Sequence, residues 1–401
     1  MKVLFLTLLD FNTYAEHNIY CDLLRVFIEQ GHDVYAVSPI ERRNKKNTHC
    51  EENGHILKVK IGNVQKTNIL EKGLSTILLE RQIIIGIKKY FTGIKFDLVL
   101  YSTPPITFAS VVKYIKKRDN ATTYLMLKDI FPQNAVDIGM LSKKGIKGVI
   151  YKYFRRKEKK LYALSDRIGC MSKANVDYIT KNNCEIDEKK VEICPNCIEV
   201  RDMRIDSELR SQIRKKYGIP EGKKVFVYGG NLGKPQGIPF IIECLKSQEN
   251  NESAYFLIVG NGTEYSKLEN YFDQSAPKNA KLLQQLPKAD YDLVVSACDV
   301  GMIFLDHRFT IPNFPSRLLS YMQSGLPVMA CTDPNTDVGK IIVENRFGWW
   351  CESNNVEDFG IAVCDACMTK FDKQSEMVNF LRENYDAHVA YEAIINCRKN
   401  K

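Results

Sequence analysis

The sequence predicts an α/β protein made of two parallel-sheet domains in tandem, followed by a helical tail. Three observations predict it. Short, continuously apolar runs alternate with helical patterns, as expected for strands of a parallel sheet covered on both faces. The pattern stops near residue 205 and then restarts. At 401 residues the chain is also too long for one ordinary core.

The elements follow in order. "KVLFLTLL" reads as a first buried strand, and residues 16–30 follow a helical pattern that stops at Gly31. "DVYAVS", "FDLVLYS" (96–102), "TTYLML" (122–127) and "DRIGCMS" (166–172) are further strands. "ICPNCIEVRDMRID" (193–206) reads as the linker. The second half supplies "KVFVYGG" (224–230), "AYFLIVGNG" (254–262), "AKLLQQL" (280–286), "DVGMIFL" (299–305) and "LPVMAC" (326–331). Residues 373–401 are helical and polar on one side. Both halves are therefore expected to be Rossmann-like. The expected domains are residues 1–200, residues 206–375 and a tail, 376–401, packed on the first domain.

Composition excludes several classes. Hydrophobic residues make up 44% and charged residues 26%, ordinary values for a globular protein. The formal charge of +9 points to anionic partners such as nucleotide phosphates or an acidic membrane surface. No aromatic-and-glycine RNA motif accompanies the charge, so no nucleic-acid partner is expected. The 13 cysteines are odd in number and scattered, which suits a reducing cytosol. Two CxxC pairs, Cys194/Cys197 and Cys364/Cys367, lack the further ligands of a zinc site, and no metal is expected. "MKVLFLTLLDF" lacks a small-residue cleavage site, and no run of about 18 apolar residues occurs. The turn after the first strand, "LLDFNTYAEHN", has no glycine, so the GxGxxG dinucleotide fingerprint is absent and hydride transfer is disfavoured.

In open α/β sheets, ligands bind beyond the carboxyl ends of the strands. Four such ends in the second half stand out. "VYGGNLGKPQGI" offers Gly230, Asn231, Gly233, Lys234 and Gln236 in a turn whose glycines permit close backbone approach to an anion. "VGNG" brackets another turn with Gly260 and Gly262. Gln285 and Leu286 close a strand at an edge able to read a planar base. In "TIPNFPSRLLSYMQSGLPVMAC", Ser316 reads as a helix N-cap with Arg317 in the first turn, a combination suited to a diphosphate.

These motifs together resemble the retaining GT-B glycosyltransferases of family four. "GGNLGKPQG" resembles their phosphate loop, and "PSRLLSYMQSGLPVMA" resembles the "P-S-K-L-x-E-Y-M-A-A-G-K-P-V" segment of a bacterial surface-polysaccharide subgroup that includes L-FucNAc-type transferases. "KDIFPQNAVDIGM" resembles that subgroup's "R-D-L-W-P-E-S-A-V-x-L-G", and "YSTPPI" and "ICPNCI" also fit. The resemblance covers most of the chain. It implies a GT-B fold, with two Rossmann-like domains facing a central cleft and a C-terminal helix crossing back to the N-terminal domain.

It also implies the chemistry. A retaining hexosyltransferase would move one sugar, an N-acetylated and in some forms deoxy hexosamine, from a UDP-sugar to a lipid-linked saccharide acceptor. Capsule or O-antigen synthesis on the inner face of the cell membrane would be its setting. Negative charge grows on the leaving diphosphate, where preorganised cations and N–H groups act best. Lys234 and Arg317 would supply the charge, with no metal and no cofactor beyond the donor itself. Lys128 and Asp129 stand where the family carries a His-Asp pair, and His17 in the first turn could reach the acceptor. The sequence departs from the family at its two glutamates, which read Pro312 and Ser320. Two rival readings are a GT-B UDP-amino-sugar epimerase and a non-catalytic GT-B partner protein that binds a nucleotide or glycan.

The stretch 143–164 carries nine Lys or Arg residues, and Ile146, Val149, Ile150, Tyr153 and Phe154 fall at helical spacing within it. Such a helix either lies on an anionic membrane or packs its apolar stripe on its own sheet.

Overall fold

Nearly every apolar run of the sequence is a buried strand in the computed structural model, which describes residues 1–64 and 69–399. Contacts divide the chain into two units, Met1–Glu199 with Asp386–Lys401, and Val200–Tyr385.

In the first unit the described strands are β1 (Lys2–Leu6), β2 (Asp33–Glu41), β3 (His49–Glu51), β4 (Ile56–Ile61), β5 (Leu98–Ser102), β6 (Thr122–Leu127), β7 (Arg167–Cys170) and β8 (Val191–Ile193). They form one sheet in the order β3-β4-β2-β1-β5-β6-β7-β8. All pairs are parallel except β3 with β4. The short β3, β4 and β8 escape a search for long apolar runs. In "ILKVKI" the lysines interrupt the pattern, yet Lys58 is buried there.

The second unit holds β9 (Lys224–Asn231), β10 (Ala254–Asn261), β11 (Ala280–Gln284), β12 (Val300–Phe304), β13 (Val328–Thr332) and β14 (Gly348–Glu352). Their order is β11-β10-β9-β12-β13-β14, all parallel. From β9 the chain runs outward to β11 and then returns to β12 on the other side of β9. The carboxyl ends of β9 and β12 therefore flank the topological switch point, where such sheets hold ligands. Phe226 and Phe256 stack at 5.2 Å in the core beneath it. Burying one such ring is worth about 1.5–3 kcal/mol.

The tail differs from the expectation that 376–401 packs as one piece. The helix Gln374–Tyr385 belongs to the second unit, because its apolar face has partners there. Phe380 meets Phe347, and Tyr385 stacks on Phe314. The helix Ala387–Lys399 belongs to the first unit. Tyr391 meets Phe27 edge-on at 4.8 Å and hydrogen-bonds His32. The division falls between Tyr385 and Asp386, where Ala387 N–H donates to the Ile198 carbonyl.

Candidate functional site

The second unit's switch point is built from the end of β9. Gly230 has φ +124°, which a side chain rarely adopts, and a Cβ there would lie 3.1 Å from the Arg317 guanidinium. The turn that follows is braced on three sides. The Gln236 side-chain oxygen accepts from the Asn231 amide (2.9 Å) and from Gly233 N–H (3.1 Å). Leu232 N–H donates to Asn261 O, and Glu264 N–H to Leu232 O. Asp306 N–H donates to Pro235 O.

This bracing reassigns several sequence-predicted residues. Gln236 is buried with its carbonyl committed inside the turn, so its side-chain oxygen staples the loop. Gly260 and Gly262 are glycines for packing: a Cβ would fall 2.1 Å from Gly230 O and 2.3 Å from Leu232 O. Gly233 has ordinary extended backbone, and a Cβ there would press the Asn231 amide at 2.9 Å. Lys234 is exposed. Gln285 and Leu286 follow the end of the edge strand β11, on the same rim, since Gly260 pairs with Gln284.

Arg317 opens the helix Arg317–Gln323. Its guanidinium lies over the face of Tyr228 at 4.3 Å. One of its terminal nitrogens, Nη1, is buried and has no hydrogen-bond partner. No carboxylate is paired with it among the described residues. Burial works against the charged form, while Tyr228, Tyr321 and Tyr291 favour it, and the net direction is upward. A guanidinium stays protonated at any physiological pH. The result is a half-buried cation, enclosed at Nη1, that no carboxylate of the described residues neutralises.

The three tyrosines escaped the sequence reading. Tyr321 stands four residues after Arg317, so both lie on one helix face. Its hydroxyl accepts from Gly229 N–H at 3.2 Å, and burial pushes its pKa up to about 12. Tyr291 packs so closely on Gly229 that a Cβ there would lie 1.9 Å from its hydroxyl. Tyr228 donates to Asn231 O at 2.7 Å. The i, i+4 spacing was a usable signal for Tyr321; Tyr291 comes from the distant helix Lys288–Ser296 and had none.

Ser316 stands at the N-cap position that the sequence suggests, but without a cap's geometry. Its backbone is already helical (φ −62°, ψ −19°) and its side chain makes no capping bond. Ser320 is half-buried on the same short helix, and Pro312 is buried.

In the first unit, the candidates lie on the corresponding rim but are compensated from within. The Lys128 ammonium donates to Cys194 O (3.2 Å) and Pro195 O (3.0 Å), which anchors that turn. Both carboxylate oxygens of Asp129 accept from the Asn134 amide, at 2.7 and 2.9 Å, and burial pushes its pKa up to about 6. His17 bonds Arg25, whose guanidinium also bonds Asp22 (2.5 Å) and Glu199 (2.7 Å). His17, Asp22 and Glu199 could together ligate a cation, but Arg25 already supplies the positive charge there. Cys194 and Cys197 are buried free thiols whose pKa values burial raises.

Residues 210–379 match the profile of the family "Glycosyl transferases group 1". The match lies wholly within the second unit. Across 335 residues the chain is 24% identical to "Probable glycosyltransferase WbjE" of Pseudomonas aeruginosa, covering 83% of this chain and 81% of that one. It is 23% identical over 274 residues to "Putative colanic acid biosynthesis glycosyl transferase WcaI" of Escherichia coli, covering 67% of this chain and 62% of that relative. Among solved structures it is similar to Anabaena HepE in complex with UDP, at TM-score 0.66 and 14% identity over the whole of both chains. That likeness establishes the GT-B fold: two Rossmann-like parallel-sheet units.

Proposed function

We propose that the protein transfers one sugar from a UDP-sugar to a saccharide acceptor carried on a lipid, in the synthesis of a bacterial surface polysaccharide. One observation carries the reading: the guanidinium of Arg317, with its Nη1 buried and unpartnered and no carboxylate of the described residues beside it, next to Gly230 at the switch point of a unit that matches the group 1 glycosyl transferase profile. A buried charge without a partner is costly, and a ligand of opposite charge removes the cost. A nucleoside diphosphate brings that charge. HepE, a structural neighbour, has been crystallised with UDP and with UDP-glucose.

Transfer proceeds with retention in this reading. As the sugar becomes oxocarbenium-like, charge accumulates on the departing diphosphate. Arg317 and the backbone of Gly230 face it, and Lys234 adds a mobile cation. The acceptor hydroxyl attacks on the departing face and the leaving phosphate takes its proton, so no protein base and no metal or further cofactor is part of the reading. Gln285 and Leu286 border the place for the base, and Ser316 and Ser320 border the ribose and diphosphate. His17 and Asp129 lie on the acceptor unit's rim. The sugar is proposed to be an N-acetylated hexosamine, on the strength of the "PSRLLSYMQSGLPVMA" resemblance.

A thermal-shift screen of nucleotides and UDP-sugars tests the donor. A ligand at a hundredfold excess over its dissociation constant adds about 2.7 kcal/mol. UDP should stabilise the native chain and fail to stabilise Arg317→Met. UDP-sugar binding without transfer or donor hydrolysis would favour a non-catalytic partner protein instead.

A further inference from the structure

The helix Gly145–Leu164 carries its apolar stripe on its exposed side. Its buried residues are Gly148, Glu158, Leu161 and Tyr162. Ile146, Val149, Ile150 and Tyr153, at i, i+3, i+4 and i+7, form a single face and are 85, 69, 43 and 46% exposed. The apolar stripe thus points away from the sheet, which removes the alternative that it packs on its own domain. Met140, just before the helix, is 52% exposed as well. Scattered exposed apolar residues are ordinary; a contiguous stripe ringed by one sign of charge marks an interaction surface.

The ring is basic. Lys144, Lys147, Lys152, Arg156 and Lys160 are exposed and make no ion pair among the described residues. The helix's one acidic residue, Glu158, is buried and paired with Arg155. Other basic residues of the stretch are spent internally: Arg155 also bonds Asn183, and Lys159 pairs with Glu185. We infer that this face docks on an anionic lipid bilayer, the stripe entering the headgroup boundary and the free cations meeting the lipid charge. Charge complementarity selects the bilayer: the stripe is ringed by these cations, and the helix itself exposes no acidic side chain. The helix follows β6 and therefore begins at the rim where the strands end; Phe154 packs on Phe131, close in sequence to Asp129, at 5.0 Å. Docking would hold that rim at the bilayer. The inference deepens the proposed lipid-linked acceptor, but its evidence is the surface itself.

The test is co-sedimentation of the full chain with vesicles of phosphatidylcholine alone or mixed with phosphatidylglycerol. The native protein should bind the mixed vesicles, less so as salt rises. Lys147→Ser, Lys152→Ser and Arg156→Ser should each weaken binding about fivefold. The triple change Ile146→Ser, Val149→Ser, Ile150→Ser should abolish it while leaving Tm and UDP binding unchanged. Failure of the native chain to sediment with mixed vesicles would overturn the inference. So would unchanged binding in both sets of variants, or a concentration-dependent dimer that the triple change dissolves without any vesicle binding. Vesicle binding without UDP binding would defeat the transferase reading and leave this one standing.

Discussion

The two parallel sheets share an architecture but treat charge oppositely at their carboxyl rims. In the first unit, the charged groups of the rim find partners within the unit: Arg25 with Asp22 and Glu199, Lys58 with Asp10, Lys128 with two carbonyls. In the second, Arg317 is half-buried among tyrosines with no carboxylate paired to it among the described residues. An internal partner makes a charge part of the scaffold. A missing one leaves the work of compensation to a ligand. Residue type alone does not separate these cases, since both units hold a half-buried arginine on a helix.

Replacing each arginine by methionine is the sharpest way to break the comparison. Arg25→Met leaves Asp22, 5% exposed, without its cation. Urea denaturation should show a loss of about 3–5 kcal/mol, with UDP binding per folded molecule unchanged. Arg317→Met should act chiefly on the reaction. Turnover should fall roughly a hundred- to a thousandfold, equivalent to about 2.7–4 kcal/mol, while the ligand-free protein loses less stability than Arg25→Met does, because no ion pair is broken. Equal stability losses in the two variants would erase the distinction.

Gly230→Ala sharpens it at the backbone. At φ +124° a side chain costs about 1–3 kcal/mol, and its Cβ would crowd Arg317. Both stability and UDP affinity should drop, whereas strain alone would leave affinity intact.

A pH experiment examines a second uncompensated group on the same rim. Asp333 is fully buried just after β13; one carboxylate oxygen has no partner, and burial raises its pKa from 3.8 to about 6. The folded state therefore holds the proton more tightly than the unfolded one. The stabilisation is complete below pH 3.8 and is lost as pH rises through about 6. Asp333→Asn should remove that part of the slope, so the variant's stability relative to native should rise between pH 4 and 7, by denaturant titration. A constant difference would mean that the carboxyl does not titrate in this window.

The smallest effect should be that of Ser316→Ala. A working N-cap is worth about 0.5–2 kcal/mol, but Ser316 makes no capping bond, so the change in stability should stay under about 0.5 kcal/mol.

Much of this was readable in the chain. Apolar runs are long and continuous where a strand is covered on both faces, so the central strands and the tandem repeat of the pattern were visible, as were Gly230 and Arg317. The lysine-interrupted β4 was not, because Lys58 is buried only by virtue of Asp10, Phe11 O and Ser38 reaching it from elsewhere. The division of the tail at Tyr385 depended on which unit offered aromatic partners, a matter of contacts far apart in sequence.

Local pattern determined strands, turns and the identity of the residues on each rim, because periodicity and glycine placement act within a few residues. Tertiary structure decided what those residues do. It closed Gln236 into a staple, spent Lys128 on two carbonyls, turned the stripe of Ile146 and Val149 outward, and left Arg317 without a counter-charge. Charge compensation and burial depend on neighbours brought together from distant parts of the chain, and so only the folded molecule could settle them.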